Sequence, residues 1–251
     1  MNILFAKIPE MYGLLHMTAL ALIMVSALPV YRYSASLSKK TLCRIIGTLG
    51  LVMCAAEIWK QYFCTVYVNA GTYSFWFFPF QLCSIAMYLA VLFPFVSERT
   101  RRTFASFQSS YTLIAAVCAL AYPQDMLRIQ VLLTLHGFLY HGMMIILTVL
   151  SLRYMIISGC HIRSSVYLFI LCACIAEVIN FLGHKFIHDP SGWPNMFYIT
   201  PYMHTTQPVF STLSVRIGII PTALIYLACI SICACLLLVF YCRKYSLHRY
   251  N

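Results

Sequence analysis

The chain has 251 residues, 62% of them hydrophobic and only 9% charged, with a mean hydropathy of +0.83. So apolar a composition excludes an ordinary water-soluble domain and defines a polytopic membrane protein. The formal charge of +11 does not indicate nucleic-acid binding, because the basic residues sit in short loops rather than in one block or along one helix stripe.

Seven apolar runs, each close to the ~20 residues that cross a bilayer, follow one another along the chain. The first extends from about Tyr12 to Val30. The basic residues after it (Arg32, Lys39, Lys40, Arg44) outweigh Lys7 before it, so it reads as a retained helix rather than a cleaved signal. The second spans roughly Cys43 to Val68 and holds Glu57 and Lys60. The third runs from about Phe78 to Val96 and the fourth from about Phe104 to Tyr122. The fifth, about Ile129 to Leu152, holds His136 and His141, and the sixth, about Ser164 to His184, holds Glu177 and Asn180. A polar-aromatic loop, roughly 185–213, precedes the seventh run, about Arg216 to Tyr241.

Alternate loops carry Arg32, Lys39, Lys40, Arg44, Arg99, Arg101, Arg102, Arg153, Arg163, Arg243, Lys244 and Arg249, against Lys7, Arg128, Lys185 and Arg216 on the opposite side. That asymmetry predicts the N-terminus outside and the C-terminus in the cytoplasm. The expected architecture is all-α: one domain over residues 1–251, a bundle of about seven transmembrane helices, integral and multi-pass (in the plasma membrane if the cell is bacterial). The twelve cysteines are scattered through the apolar runs without a C-x-x-C pair, so neither a zinc ribbon nor a disulfide framework is expected.

The third run opens with Phe77-Phe78-Pro79-Phe80-Gln81-Leu82-Cys83. Proline is tolerated in a first helical turn, which predicts a helix beginning near Pro79 with Cys83 about one turn, ~6 Å, inside it. Counting ~1.5 Å per residue, Glu57, Lys60, Cys83, His136, Glu177 and Asn180 all fall in the outer half of the bundle. Ionisable groups at that depth need a partner or a purpose. Glu57 and Lys60 share a helix face, as do Glu177, Asn180 and His184. His136 shares a stripe with Tyr140 and Met143, whereas His141 points roughly 140° away, so the two histidines are read apart.

Each of these has a structural rival: an ion pair for Glu57–Lys60, interhelical hydrogen bonding for Glu177–Asn180, a satisfied core histidine for His136 and plain packing for Cys83. The functional reading makes Cys83 a nucleophile and His136 its base, because thiolate rather than thiol attacks an ester carbonyl. Unpaired amides of the first turn would favour the thiolate and an oxyanion, with Gln81 as an additional donor. Glu57, Glu177 and Asn180 are the candidates to orient His136.

The stretches Glu57-Ile58-Trp59-Lys60, Pro79-Phe80-Gln81-Leu82-Cys83-Ser84 and His136-Gly137, with Asn180 and Pro194-Asn195-x-x-Tyr198, resemble the YwaF-like integral membrane family, related to the transmembrane protein 164 acyltransferase. Gln81 stands where that family's motif has a histidine. The resemblance implies a cysteine-dependent lipid acyltransferase or transacylase, or a lipid hydrolase, with Cys83 as acyl acceptor and His136 as base. The implied partners are membrane phospholipids or lysophospholipids; no cofactor, metal or nucleic acid is expected. The alternative is a non-enzymatic sensor or small-solute transporter with a polar intramembrane pocket. A metal enzyme built on His184 and His188 is a third reading.

Overall fold

The computed structural model describes residues 4–189 and 192–247; Arg249 lies outside them. The first helix, α1, is Leu14–Ser34. Helix α2, Lys39–Phe63, starts on Ser38, whose hydroxyl accepts the Thr41 N–H at 3.2 Å, and ends in a π-turn, Cys64–Val68. A single 3₁₀ turn, Phe75–Phe77, precedes α3, Leu82–Leu92. Helix α4, Glu98–Phe107, is capped by Ser97 and continues through a π-turn, Gln108–Thr112, into α5, Leu113–Ala121. Then come α6, Val131–Ser158, and α7, Ile162–Phe186. Last are α8, Phe210–Ile217, and α9, Ile219–Leu247.

Six of these segments are long and apolar enough to cross a bilayer: Leu14–Ser34, Lys39–Val68, Glu98–Ala121, Val131–Ser158, Ile162–Phe186 and Ile219–Tyr245. A seventh apolar helix, Leu82–Phe95, is shorter. The chain is thus an all-α integral membrane bundle, close to the seven-helix count read from its hydropathy.

Contacts sort the loops into two ends. At one, Lys39 pairs with Glu98, the Tyr154 hydroxyl donates to Glu98 at 2.7 Å, and Arg153 donates to the Ala35 carbonyl at 2.7 Å. At the other, the Phe5 N–H donates to the Ile129 carbonyl at 2.9 Å, and the Tyr198 hydroxyl to Asp125 at 3.0 Å. The first end carries most of the basic residues and the second carries the N-terminal segment.

Helix packing inside a bilayer relies on close van der Waals approach rather than on hydrophobic transfer, which favours small residues at crossings. Gly47 and Gly50 provide that approach between α2 and α3. A Cβ at Gly50 would stand 2.6 Å from the Val91 nitrogen, and one at Gly47 2.5 Å from the Pro94 ring. At the α4–α5 π-turn the fully buried Gln108 donates to the Ala86 carbonyl at 3.3 Å and accepts the Ser151 hydroxyl at 2.6 Å. It thereby ties α3 and α6 to the turn.

Two local expectations are corrected. Helix α3 begins at Leu82, not near Pro79: Phe78, restrained by the following proline, stays extended at φ −53°, ψ 130°, and Gln81 is the extended cap residue. The stretch read as a continuous loop up to residue 213 contains the start of α8, which Gly218 ends in a left-handed conformation at φ 96°.

Candidate functional site

A cavity of about 530 Å³ opens at the end of the bundle that holds the N-terminal segment. Its wall includes Glu57, Lys60, Gln81, Cys83, His136 and His141. The start of α3 supplies Cys83. Because Gln81 is the cap, Cys83 is the second helical residue, and its peptide N–H and that of Leu82 lack an intrahelical acceptor by position; the Ser84 N–H is already bonded to the Gln81 carbonyl at 2.8 Å. Cys83 is only partly buried, unlike its neighbours Leu82 and Ser84.

The α2 wall holds an ion pair. Glu57 is buried, and one of its carboxylate oxygens lies 2.6 Å from the Lys60 ammonium and accepts the Gln61 amide at 2.6 Å. The same Gln61 amide donates to the Phe77 carbonyl. This anchors the 69–81 connection, and so the approach to Cys83, on the Glu57 charge.

The α6 wall brings both histidines to the cavity, although they leave the helix on different faces. The His136 ring stacks at 5.7 Å on Tyr140 and lies 5.7 Å from Trp59 of α2; its Nε2 is buried without a hydrogen-bond partner. His141 holds its Nδ1 2.8 Å from the Gly137 carbonyl. A carbonyl can only accept, so Nδ1 carries the proton and Nε2 the lone pair. The separation of the two histidines is therefore corrected: they differ in partners, not in which chamber they line. Tyr140 lines the same cavity as Cys83 and Glu57, and its hydroxyl is buried without a hydrogen-bond partner. Among the described residues no hydrogen bond joins Cys83 to either imidazole.

Glu177 and Asn180 stand elsewhere. Asn180 is fully buried; its amide donates to the Met196 carbonyl at 3.2 Å and to Glu177 at 3.2 Å, and its oxygen accepts the Met196 N–H at 2.7 Å. Gln81 holds the adjoining residues, donating to the Asn195 carbonyl at 2.8 Å and accepting the Phe197 N–H at 2.8 Å. Asn195 in turn accepts the Thr200 N–H at 3.2 Å. Three side-chain amides thus pin a tight turn in which Phe197 and Tyr198 both adopt φ 57°. The turn carries Phe197 and Tyr198 into the cavity wall. Burial first, then the adjacent Asp125 carboxylate, raise the Tyr198 phenol well above the ordinary tyrosine range, so it remains a donor.

Sequence reasoning did not single out Gln61, Asp125 or Arg128. Gln61 had a signal, its spacing of four from Glu57 on one helix face; the other two lie in an irregular loop where periodicity gives none. His184, weighed as a metal ligand, stacks at 3.6 Å on Tyr202 and lies 4.3 Å from Trp193.

A bundle of six helices long and apolar enough to span a bilayer, with a polar-apolar cavity among them, defines the class: a multi-pass membrane protein. Residues 11–241 match the TMEM164 family, and the chain belongs to that family. The match supports the transmembrane protein 164 part of the resemblance and does not carry the YwaF-like label. No curated protein and no solved structure matches the chain.

Proposed function

We propose that the chain is a membrane lipid acyltransferase or transacylase in which Cys83 is the nucleophile and His136 its base. The observation that carries this reading is the shared cavity. It joins a partly accessible cysteine on the first turn of a helix, two imidazoles and a charged pair to an apolar wall that includes Phe78, Leu82, Ile114 and Ile230. Its volume, about 530 Å³, lies in the range of small-molecule sites, roughly 300–1,000 Å³.

The chemistry follows from the groups present. His136 takes the Cys83 proton, and the thiolate attacks the ester carbonyl of a donor lipid. First-turn amides of α3 and the positive end of that helix stabilise the oxyanion. Collapse expels the lipid alkoxide, which recovers the proton from the imidazolium and leaves as a lyso-lipid, with the acyl group on Cys83 as a thioester. The hydroxyl of a second lipid, deprotonated by the same imidazole, attacks the thioester; the new ester forms and the thiolate departs. Water in place of that hydroxyl gives hydrolysis. Lys60, lining the same cavity, supplies a cation that favours the thiolate, and Glu57 keeps that cation in position.

Incubation of the purified protein with a diacyl lipid bearing a labelled acyl chain tests this. Label should appear on Cys83 and be released by neutral hydroxylamine. A ligand-binding sensor with the same pocket would bind the lipid and acquire no covalent label.

A further inference from the structure

Among the described residues, Arg128 lines the cavity without an ion pair, although Asp125 lines the same wall. Two basic side chains, Lys60 and Arg128, line this cavity. Lys60 is committed to Glu57 at 2.6 Å. Arg128 has no carboxylate within salt-bridge distance among the described residues; its Nε donates to the Asp125 main-chain carbonyl at 3.1 Å, which leaves both terminal amines of the guanidinium uncommitted. The Asp125 carboxylate itself accepts the Tyr198 hydroxyl at 3.0 Å.

The arginine is held rather than loose. Its main-chain N–H donates to the Thr134 hydroxyl at 2.9 Å and its carbonyl accepts that hydroxyl at 2.9 Å, while the neighbouring Ile129 carbonyl is bonded to the Phe5 N–H. The side chain is half-buried. A guanidinium cannot shed its charge, and its two terminal amines form a planar fork that matches an oxyanion. Gln124, Thr206 and Gln207 bring neutral hydrogen-bonding groups to the same cavity, and the apolar wall continues inward.

We propose that Arg128 is the docking point for the oxyanion headgroup of an amphiphilic substrate, and so selects charged over neutral lipids; this rests on the reading of the cavity as a lipid site. The shared chemistry is an anionic oxygen pair on an acyl chain, which a phosphate headgroup or a fatty carboxylate can supply.

The test is a binding measurement, so it does not depend on the cysteine mechanism. Full-length Cys83→Ala protein in an uncharged detergent is titrated with three probes of equal chain length: a monoacylglycerol phosphate, a fatty acid and a monoacylglycerol. The first two should bind more tightly than the third. A charge-assisted fork contributes enough that Arg128→Gln should abolish a preference of roughly ten- to hundred-fold while leaving monoacylglycerol binding unchanged. Arg128→Lys, a point charge without the fork, should retain part of it, and serves as the read-out if the glutamine variant fails to fold. Arg216→Gln, removing a cation at the same end but outside the cavity wall, should retain all of it. Stronger binding of the phosphate than of the fatty acid identifies a phosphate headgroup; the reverse identifies a carboxylate. Equal binding of all three probes, or a preference that survives in Arg128→Gln, overturns the proposal. Absence of an acyl-thioester on Cys83 of the wild-type protein, with this preference intact, would instead discard the catalytic reading alone.

Discussion

The side-chain oxygen of Gln81 accepts the main-chain N–H of Phe197 at 2.8 Å, a bond that ties the residue capping the Cys83 helix to a turn 116 positions further along the chain. Its amide donates to the Asn195 carbonyl at 2.8 Å, so both ends of the group are committed to the loop. The role of Gln81 in the site is therefore to hold the cavity wall. Gln81→Leu leaves two main-chain groups of a strained turn without partners, each worth about 1–3 kcal/mol when buried. The variant should melt at lower temperature and be cut faster in the 192–209 loop by a protease added to the purified protein. Unchanged melting and cleavage would show that the clasp is dispensable.

The Glu57–Lys60 pair gives a second expectation. Glu57 is buried and its charge is matched at 2.6 Å. Removing one member of a buried pair leaves an uncompensated charge and costs about 3–5 kcal/mol, whereas removing both charges together leaves none uncompensated. Glu57→Gln and Lys60→Met should each lower thermal stability more than the double variant does. If the double variant is the least stable of the three, the pair contributes net stability and the argument fails.

The α2–α3 crossing gives a third. Alanine at Gly50 places a methyl 2.6 Å from the Val91 nitrogen and 2.8 Å from the Ala90 carbonyl carbon, main-chain atoms that cannot rotate away. The intrinsic gain of alanine over glycine in a helix, up to ~1 kcal/mol, is outweighed by overpacking, about 1–3 kcal/mol. Gly142→Ala meets only the Ile23 side chain, at 3.1 Å, which can shift. Thermal stability should therefore fall clearly for Gly50→Ala and little for Gly142→Ala.

The sequence carried the membrane class and nearly all the spanning helices, because seven apolar runs punctuated by basic loops leave few alternatives. Glu57, Lys60, Cys83 and His136, which rise per residue alone puts at a similar level, line one cavity. Depth does not fix azimuth, however. Glu177 and Asn180, expected at that level, instead join the Met196 turn, and His141 leaves α6 on another face yet reaches the same cavity. The left-handed Phe197 and Tyr198, neither a glycine, have no local signature. Their conformation is set by Gln81 and Asn180, residues distant in sequence. The start of α3 was misplaced because proline fits a first turn as readily as the extended segment that precedes one.

Orientation is tested by fusion. The end of the bundle that carries Lys39, Arg101 and Arg153 is expected in the cytoplasm by its charge. A reporter fused after Asn251 should report a cytoplasmic C-terminus, and a glycosylation or labelling tag in the 192–209 loop should be reached from outside. A tag modified only from the cytoplasmic side would invert the bundle and place the cavity mouth in the other compartment.

The central claim is most directly tested by acyl transfer to Cys83. Wild-type protein given a labelled diacyl lipid should yield a Cys83 peptide bearing the acyl mass, sensitive to neutral hydroxylamine. Cys83→Ala should bear none, while Cys54→Ala and Cys118→Ala should label as wild type does. A positioned acid–base group contributes about 10²–10⁴-fold, so His136→Ala should slow labelling by that order. His141→Ala should cost much less, and a greater loss there would move the base to that residue. Folded Cys83→Ala protein that remodels lipid at the wild-type rate would contradict the covalent mechanism.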